Sequence, residues 1–326
     1  MHLPHDKAIY LLYKLKLAIA KMRQHNIINT KQIEVLEKKI SKLLKIAWNN
    51  RSAYPGFKNL LKAKLKNDFP EDKLDIFAEK TESVIKKQFK SLDNFFNKKN
   101  NISKLDKIDP EIKKILRKIA REFSLYKYLS RFDFSILQFQ NVIKLIDEIG
   151  PQQFERNPYI LLEKYPFDAE CEDWNIEKMD TGISIYHIDI PLIPDLAYVR
   201  WDTSFDAESP ERIRALITKI LKISAQEEGN TYLYREEILK RLRAYPLFYI
   251  QNKFELDQML LSNYESERRF KETFNIVRAN YNDKTLYQLK CLANLEKYIE
   301  RFISCLLYTS DAADEGLGVD LGGRRI

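Results

Sequence analysis

Glycine is scarce in this chain: eight residues in 326, four of them among the last eleven. The other four, Gly56, Gly150, Gly182 and Gly229, are too few for a glycine-rich β architecture and point to long helices. No glycine precedes a lysine, so the GxxxxGK[ST] loop whose amides cradle nucleotide phosphates is missing. Cysteine is equally sparse. Cys171 and Cys291 stand far apart without a CxxC or HxxxH companion, which argues against a zinc site and for a reducing compartment. No apolar run approaches the roughly 20 residues that span a bilayer. The opening MHLPHDK also lacks the basic-then-apolar order of a signal peptide, so a cytoplasmic location with no membrane partner is expected.

Histidine is nearly as rare. His2, His5, His25 and His187 have no arginine at the Arg-x4–6-His spacing of helical ribonucleases and form no recognisable triad. Pro194-Asp195 resembles the start of a nuclease metal motif, yet no downstream acid has a lysine two residues later. No catalytic residue and no metal-ligand set is therefore expected.

What is abundant is lysine, and it is unevenly placed. Residues 1–150 carry 32 basic and 17 acidic side chains, whereas residues 151–304 carry 21 and 26. Such asymmetry suits a polyanion such as DNA or RNA; lysine enrichment from an AT-rich genome gives the same count. The final stretch, Cys305–Ile326, reads CLLYTSDAADEGLGVDLGGRRI. Cys305–Glu315 and Gly318–Ile326 match the translation of a transposase-type sequencing adapter, with Gly316 and Leu317 where a variable index falls. The expectation is read-through after Ser304, which makes residues 305–326 an artefactual tail on a piece of a longer protein.

Apolar residues recur at three and four positions from Lys7 to Trp48, which predicts two helices separated around His25–Asn29 with Asn29 or Thr30 as a cap. Tyr54-Pro55-Gly56-Phe57 is a turn signal, and helices resume at Leu60–Leu65 and Phe77–Phe96. Asn97–Lys107 reads as a linker. Asp109-Pro110-Glu111 opens another helix, and Ser135–Ile149 is a helix that Gly150-Pro151 ends. Residues 166–209 read as a loop in which Ile183-Ser184-Ile185-Tyr186 fits a weak strand. Ser209-Pro210-Glu211 caps a helix, Thr231–Tyr234 is β-like, and Phe254–Ile303 reads as helix. The expected fold class is mainly α. A basic helical region spans 1–105 and a helical unit spans 106–165. An α-rich region with short irregular or β segments spans 166–304.

Tyr126, Tyr128, Phe132, Phe134 and Phe139 interleave with Lys127, Arg131 and Lys144, a mixture that either stacks on bases or, at helical spacing, forms core.

The stretch Phe134–Glu163 is similar to the N-terminal region of RecD-like superfamily 1 DNA helicases, which are AAA-type ATPases. There a helix-hairpin-helix-like unit ends in Asn-Pro-Tyr, here Asn157-Pro158-Tyr159. A second match follows: Glu211-Arg212-Ile213-Arg214-Ala215 leads to Gly229-Asn230-Thr231-Tyr232-Leu233, resembling the family's Arg-Ile-x-Ala helix and Gly-His-Thr-Tyr-Leu segment. Asn230 replaces the usual histidine, and Trp174–Trp201 holds no second glycine-rich hairpin. The resemblance implies a non-catalytic accessory region that binds single-stranded or forked DNA. Its ATP- and magnesium-dependent motor would lie C-terminal to it, and no cofactor belongs to this region itself. At the hairpin, Gly150 would let the backbone approach phosphate, and Lys144, Gln152, Gln153 and Arg156 would donate to it. The alternative is a helical protein-interaction scaffold of a repair or defence assembly with no nucleic-acid contact.

Overall fold

The computed structural model describes residues 4–25, 27, 29–97, 108–164, 182–199, 201, 205–245, 258–278 and 284–318. The protein is mainly helical, and among the described residues it has one three-stranded antiparallel sheet and no barrel. It divides into two compact units, Met1–Leu216 with Arg243–Phe254, and Ile217–Leu242 with Glu255–Ile326. Among the described residues no helix is long and apolar enough to cross a membrane.

The first unit begins with a helical hairpin, α1 (His5–Gln24) and α2 (Thr30–Arg51). The Asn29 side chain caps α2 by accepting from Lys31 N at 3.1 Å, which satisfies one of the amides that a helix start leaves unpaired. One stripe of each helix, including Ile9, Tyr13, Ile40, Leu44 and Trp48, packs with Tyr186 and Ile190 in a common core. Across this core Trp48 Nε1 donates to the Tyr13 hydroxyl at 3.1 Å, and that hydroxyl donates to Asp195 at 2.7 Å. Arg51, fully buried, pairs with the equally buried Asp6 and donates to the Arg131 carbonyl at 2.8 Å.

Next come α3 (Phe57–Leu65), α4 (Glu71–Phe89) and α5 (Leu92–Asn97). The predicted linker from Asn97 to Lys107 lies, from residue 98, outside the described residues. Then follow α6 (Pro110–Arg121), α7 (Phe123–Leu129), α8 (Ile136–Ile149), α9 (Pro151–Arg156) and α10 (Ile160–Lys164). The Tyr54–Phe57 turn is held against the end of α7: Gly56 N donates to Ser130 O at 3.1 Å. A Cβ built on Gly56 would lie 1.9 Å from the Phe132 carbonyl oxygen, so only glycine permits this approach.

Of the expected loop 166–209, residues 182–199, 201 and 205–209 are described. There the weak strand predicted at Ile183–Tyr186 is overturned: Ile185–Leu192 is a helix, α11, with every residue buried. Ser184 and His187 close it with a capping box, and burial on all sides outweighs the β preference of its isoleucines. α12 (Pro210–Glu227) follows, with the boundary between the units after Leu216.

The second unit contains β1 (Tyr232–Tyr234), α13 (Arg235–Arg243), α14 (Gln258–Glu265), α15 (Arg268–Thr273), β2 (Phe274–Arg278), β3 (Thr285–Leu289) and α16 (Lys290–Gly318). β3 lies between the other two strands, pairing Tyr232 with Gln288 and Phe274 with Leu289. The continuous helix predicted over Phe254–Ile303 is thus corrected. Its middle is a two-stranded ribbon whose inner residues Phe274, Tyr287 and Leu289 pack with Phe270 and Leu261 in the unit's core. Tyr287 OH donates to Glu265, which also pairs with Arg235 at 2.6 Å and ties the sheet to the start of α13.

Candidate nucleic-acid interface

Gly150 sits between α8 and α9, and the local sequence dictates that break. Ser135 starts α8 with a capping box: its hydroxyl accepts from Gln138 N at 3.2 Å, and Gln138 Oε1 accepts from Ser135 N at 2.8 Å. α8 ends where Gly150 adopts φ +87°, a conformation that L side chains avoid, and Pro151 supplies the preset first residue of α9. Phe154, fully buried, anchors α9 against Tyr128.

Of the five sequence-predicted contact residues, Lys144 lies on α8, Gly150 at the turn, and Gln152, Gln153 and Arg156 on α9. Lys144, Gln152, Gln153 and Arg156 are exposed, and Gly150 is half-buried. Nothing lies within 4 Å of a Cβ built on Gly150, so the space beside the turn is open. Gly150 N is spent on Ile146 O at 2.8 Å and is not a free donor. The amides of Gln152 and Gln153 have no carbonyl partner among the described residues, as the first turn of a helix leaves them. Two exposed acids, Asp147 and Glu148, lie three and four residues after Lys144 on the same helix and weaken the local positive field.

Of the two roles weighed for the aromatics, the structure bears out core. Tyr126, Phe132, Phe134 and Phe139 are buried, and the half-buried Tyr128 meets Phe132 and Phe154 edge-on, so these rings are core. Two of the cations interleaved with them, outside the predicted contact set, gain a setting of their own. Lys127 and Arg131 line a cavity of about 210 Å³ with Ser124, Tyr128 and Glu155, directly beside α9. On α6, Lys114, Arg117, Lys118 and Arg121 are exposed at intervals of three and four while Ile112, Ile115, Leu116 and Ile119 are buried. That basic stripe was readable in the periodicity. Lys127 and Arg131 were visible as cations among the aromatics, but their setting depends on α9.

The residues that carry the family resemblance are mostly structural. Tyr159, fully buried, donates to Asp189 Oδ1 at 2.6 Å, and Arg212 grips both Asp189 oxygens at 3.0 and 2.9 Å. The two matched segments, some fifty residues apart, therefore converge on one buried carboxylate. Burial raises the Tyr159 pKa well above the ordinary phenol range, reinforced by Asp189, so its proton stays on. Arg214, almost fully buried, pairs with Glu163 at 2.7 Å. The Asn157 side chain is buried with neither its nitrogen nor its oxygen hydrogen-bonded among the described residues. In the second unit Asn230 Nδ2 donates to Glu228 at 3.1 Å, and Arg241 grips Glu228 at 2.7 and 2.8 Å. The Arg241 hydrogen bonds, then Ser224, hold that exposed carboxyl down at about 2. Among the described residues no cluster of His, Cys, Asp or Glu is arranged to hold a metal ion.

Comparison with protein-family models, with curated proteins and with solved structures gives no match.

Proposed function

We propose that this chain is the non-catalytic, DNA-binding accessory region of a RecD-like superfamily 1 helicase, acting on single-stranded or forked DNA. The observation that carries the reading is the α8–Gly150–α9 hairpin. It presents two unpaired amides, Lys144, Gln152, Gln153 and Arg156 on an open surface, with Lys127 and Arg131 beside it. Backbone amides and cations of this kind bind phosphates without reading base sequence, as a strand-guiding element requires. The convergence of Tyr159 and Arg212 on Asp189 supports the family side, because the two matched segments form one physical unit. The second unit adds support of another kind: helix, strand, helices, then a strand pair with the last strand central is the order of a winged helix-turn-helix. Fold alone does not establish function, so the hairpin bears the weight. In this reading ATP and magnesium belong to a motor with a GxxxxGK[ST] loop, which these 326 residues do not contain.

Anisotropy of a labelled forked oligonucleotide, titrated across a salt series, tests the DNA contact. Affinity should fall steeply with salt, and Lys144→Glu with Arg156→Glu should weaken binding about tenfold and flatten the salt slope by roughly two phosphate contacts. Absence of binding at low salt overturns the reading in favour of the scaffold, whereas full binding by the double variant removes the hairpin from the interface. The genomic frame after Ser304 checks the helicase assignment: a GxxxxGK[ST] loop is expected, and an early stop codon sinks it.

A further inference from the structure

The opening hairpin carries a second apolar stripe that the core does not use. Leu11, Leu12 and Leu15 of α1 face Leu43, Ile46 and Ala47 of α2 across a groove of about 520 Å³. Leu11, Leu15, Leu43 and Ile46 are 43, 49, 49 and 53 % exposed, although the opposite stripes of the same helices are fully buried. Contiguous exposed apolar residues in a concave setting mark a binding surface rather than random exposure. The groove's polar residues, His5 and Asn50, sit together at one end, which leaves an aliphatic floor about 10 Å long.

The rim is cationic. Lys39 and Lys42, both exposed, lie four before Leu43 and Ile46 and so flank the floor on α2, whereas on α1 Lys14 reaches over the Tyr10 ring at 5.3 Å and Lys7 acts on His187. No carboxylate lines the groove. Of the three acids on these helices, Asp6 is buried against Arg51, Glu37 pairs with Arg23, and Glu34 is on the far side of α2. We infer that the α1–α2 groove is the docking site for an acidic amphipathic helix of a protein partner, its apolar ridge on the leucine floor and its carboxylates against the lysines. An aliphatic floor offers nothing to a phosphate backbone, which excludes nucleic acid as the occupant. A concave slot between two helices fits a helical ridge better than the flat face of a bilayer.

The test uses the full chain and a synthetic peptide of about 18 residues, with leucines at i, i+3, i+4 and i+7 and glutamates elsewhere. Controls are the same peptide with lysine for glutamate, a scrambled version, and phosphatidylcholine vesicles containing phosphatidylserine. Anisotropy should show saturable binding of the acidic peptide alone. Leu15→Glu with Ile46→Glu should weaken it at least about tenfold. Lys39→Glu with Lys42→Glu should weaken it about threefold and reduce its salt dependence. Leu196→Glu, at an exposed leucine elsewhere, should change nothing. A benzophenone-bearing peptide should crosslink the unmodified chain within 8–15 and 43–50, a readout that does not depend on any variant folding. No binding, equal binding of the lysine peptide, preference for vesicles, or crosslinks outside those spans would each overturn the proposal.

Discussion

Asp189 and His187, two residues apart in α11, are both buried but differ in their partners. Arg212 forks onto both Asp189 oxygens and Tyr159 donates a third hydrogen bond. Removing one partner of such a pair strands a buried charge at a cost of about 3–5 kcal/mol. Among the described residues no carboxylate pairs with His187. Its Nδ1 accepts from Ser184 N at 3.0 Å, its ring meets Phe134 and Tyr186, and burial, helped by Lys7, holds its pKa down to about 3. The unfolded chain takes up this proton as pH falls through about 6.5, whereas the folded chain refuses it until about 3. The contribution is therefore complete above pH 6.5 and is lost as pH falls toward 3. His187→Gln keeps an acceptor for the capping box and removes the titration. Urea unfolding at pH 7 and pH 4.5 should show the natural chain losing about 2 kcal/mol more than the variant over that interval; equal losses would remove His187 as the cause.

At the scale of elements, the turn before α3 depends on a contact that sequence does not display. Tyr54-Pro55-Gly56-Phe57 announces a turn, but only the fold shows that Gly56 lies against Phe132 and Phe139. Gly56→Ala places a methyl 1.9 Å from the Phe132 carbonyl and 2.9 Å from the Phe139 ring, and because the nearer group is backbone, the turn has to move. The expected cost is about 3 kcal/mol in urea unfolding. Gly150→Ala, at φ +87° in open space, should cost only about 1–2 kcal/mol from backbone strain; the reverse order would contradict this account of the turn. Helix starts were readable for the same local reason that turns were: Asn29, Asp109 and Ser135 all cap as their sequences suggest. Short apolar runs were not. Ile183–Tyr186 has a strand's composition and lies at the start of a helix, while Phe274–Arg278 was absorbed into neighbouring helical periodicity although β-branched Ile276 and Val277 and the Asn280–Asp283 turn residues marked a ribbon. The hairpin residues of the candidate site flank a glycine-proline break that the sequence displays, whereas Lys127 and Arg131 gain their setting from packing across α7 and α9.

At the scale of the molecule, the chain does not complete one unit before starting the next. The first unit takes Met1–Leu216, the second takes Ile217–Leu242, and Arg243–Phe254 returns to the first. Composition gave no hint of that return, since no proline or glycine cluster marks either crossing. Its described anchor is Tyr245, which packs against the opening hairpin with its ring 6.1 Å from Tyr10, itself stacked on Tyr186 at 5.0 Å. All three tryptophans fall within the first unit's range, and Trp48 and Trp201 meet edge-on at 5.6 Å in the same core, so their fluorescence reports that core. Tyr245→Ala should therefore lower the stability read by tryptophan fluorescence by about 1–3 kcal/mol, the range for losing a partly buried ring. Tyr232→Ala, at a half-exposed position of the second unit's sheet, should leave that transition unchanged. If Tyr245→Ala leaves the tryptophan transition in place, the return segment does not stabilise the first unit. If it shifts as expected, the opening hairpin, with its groove, depends on residues more than two hundred positions away.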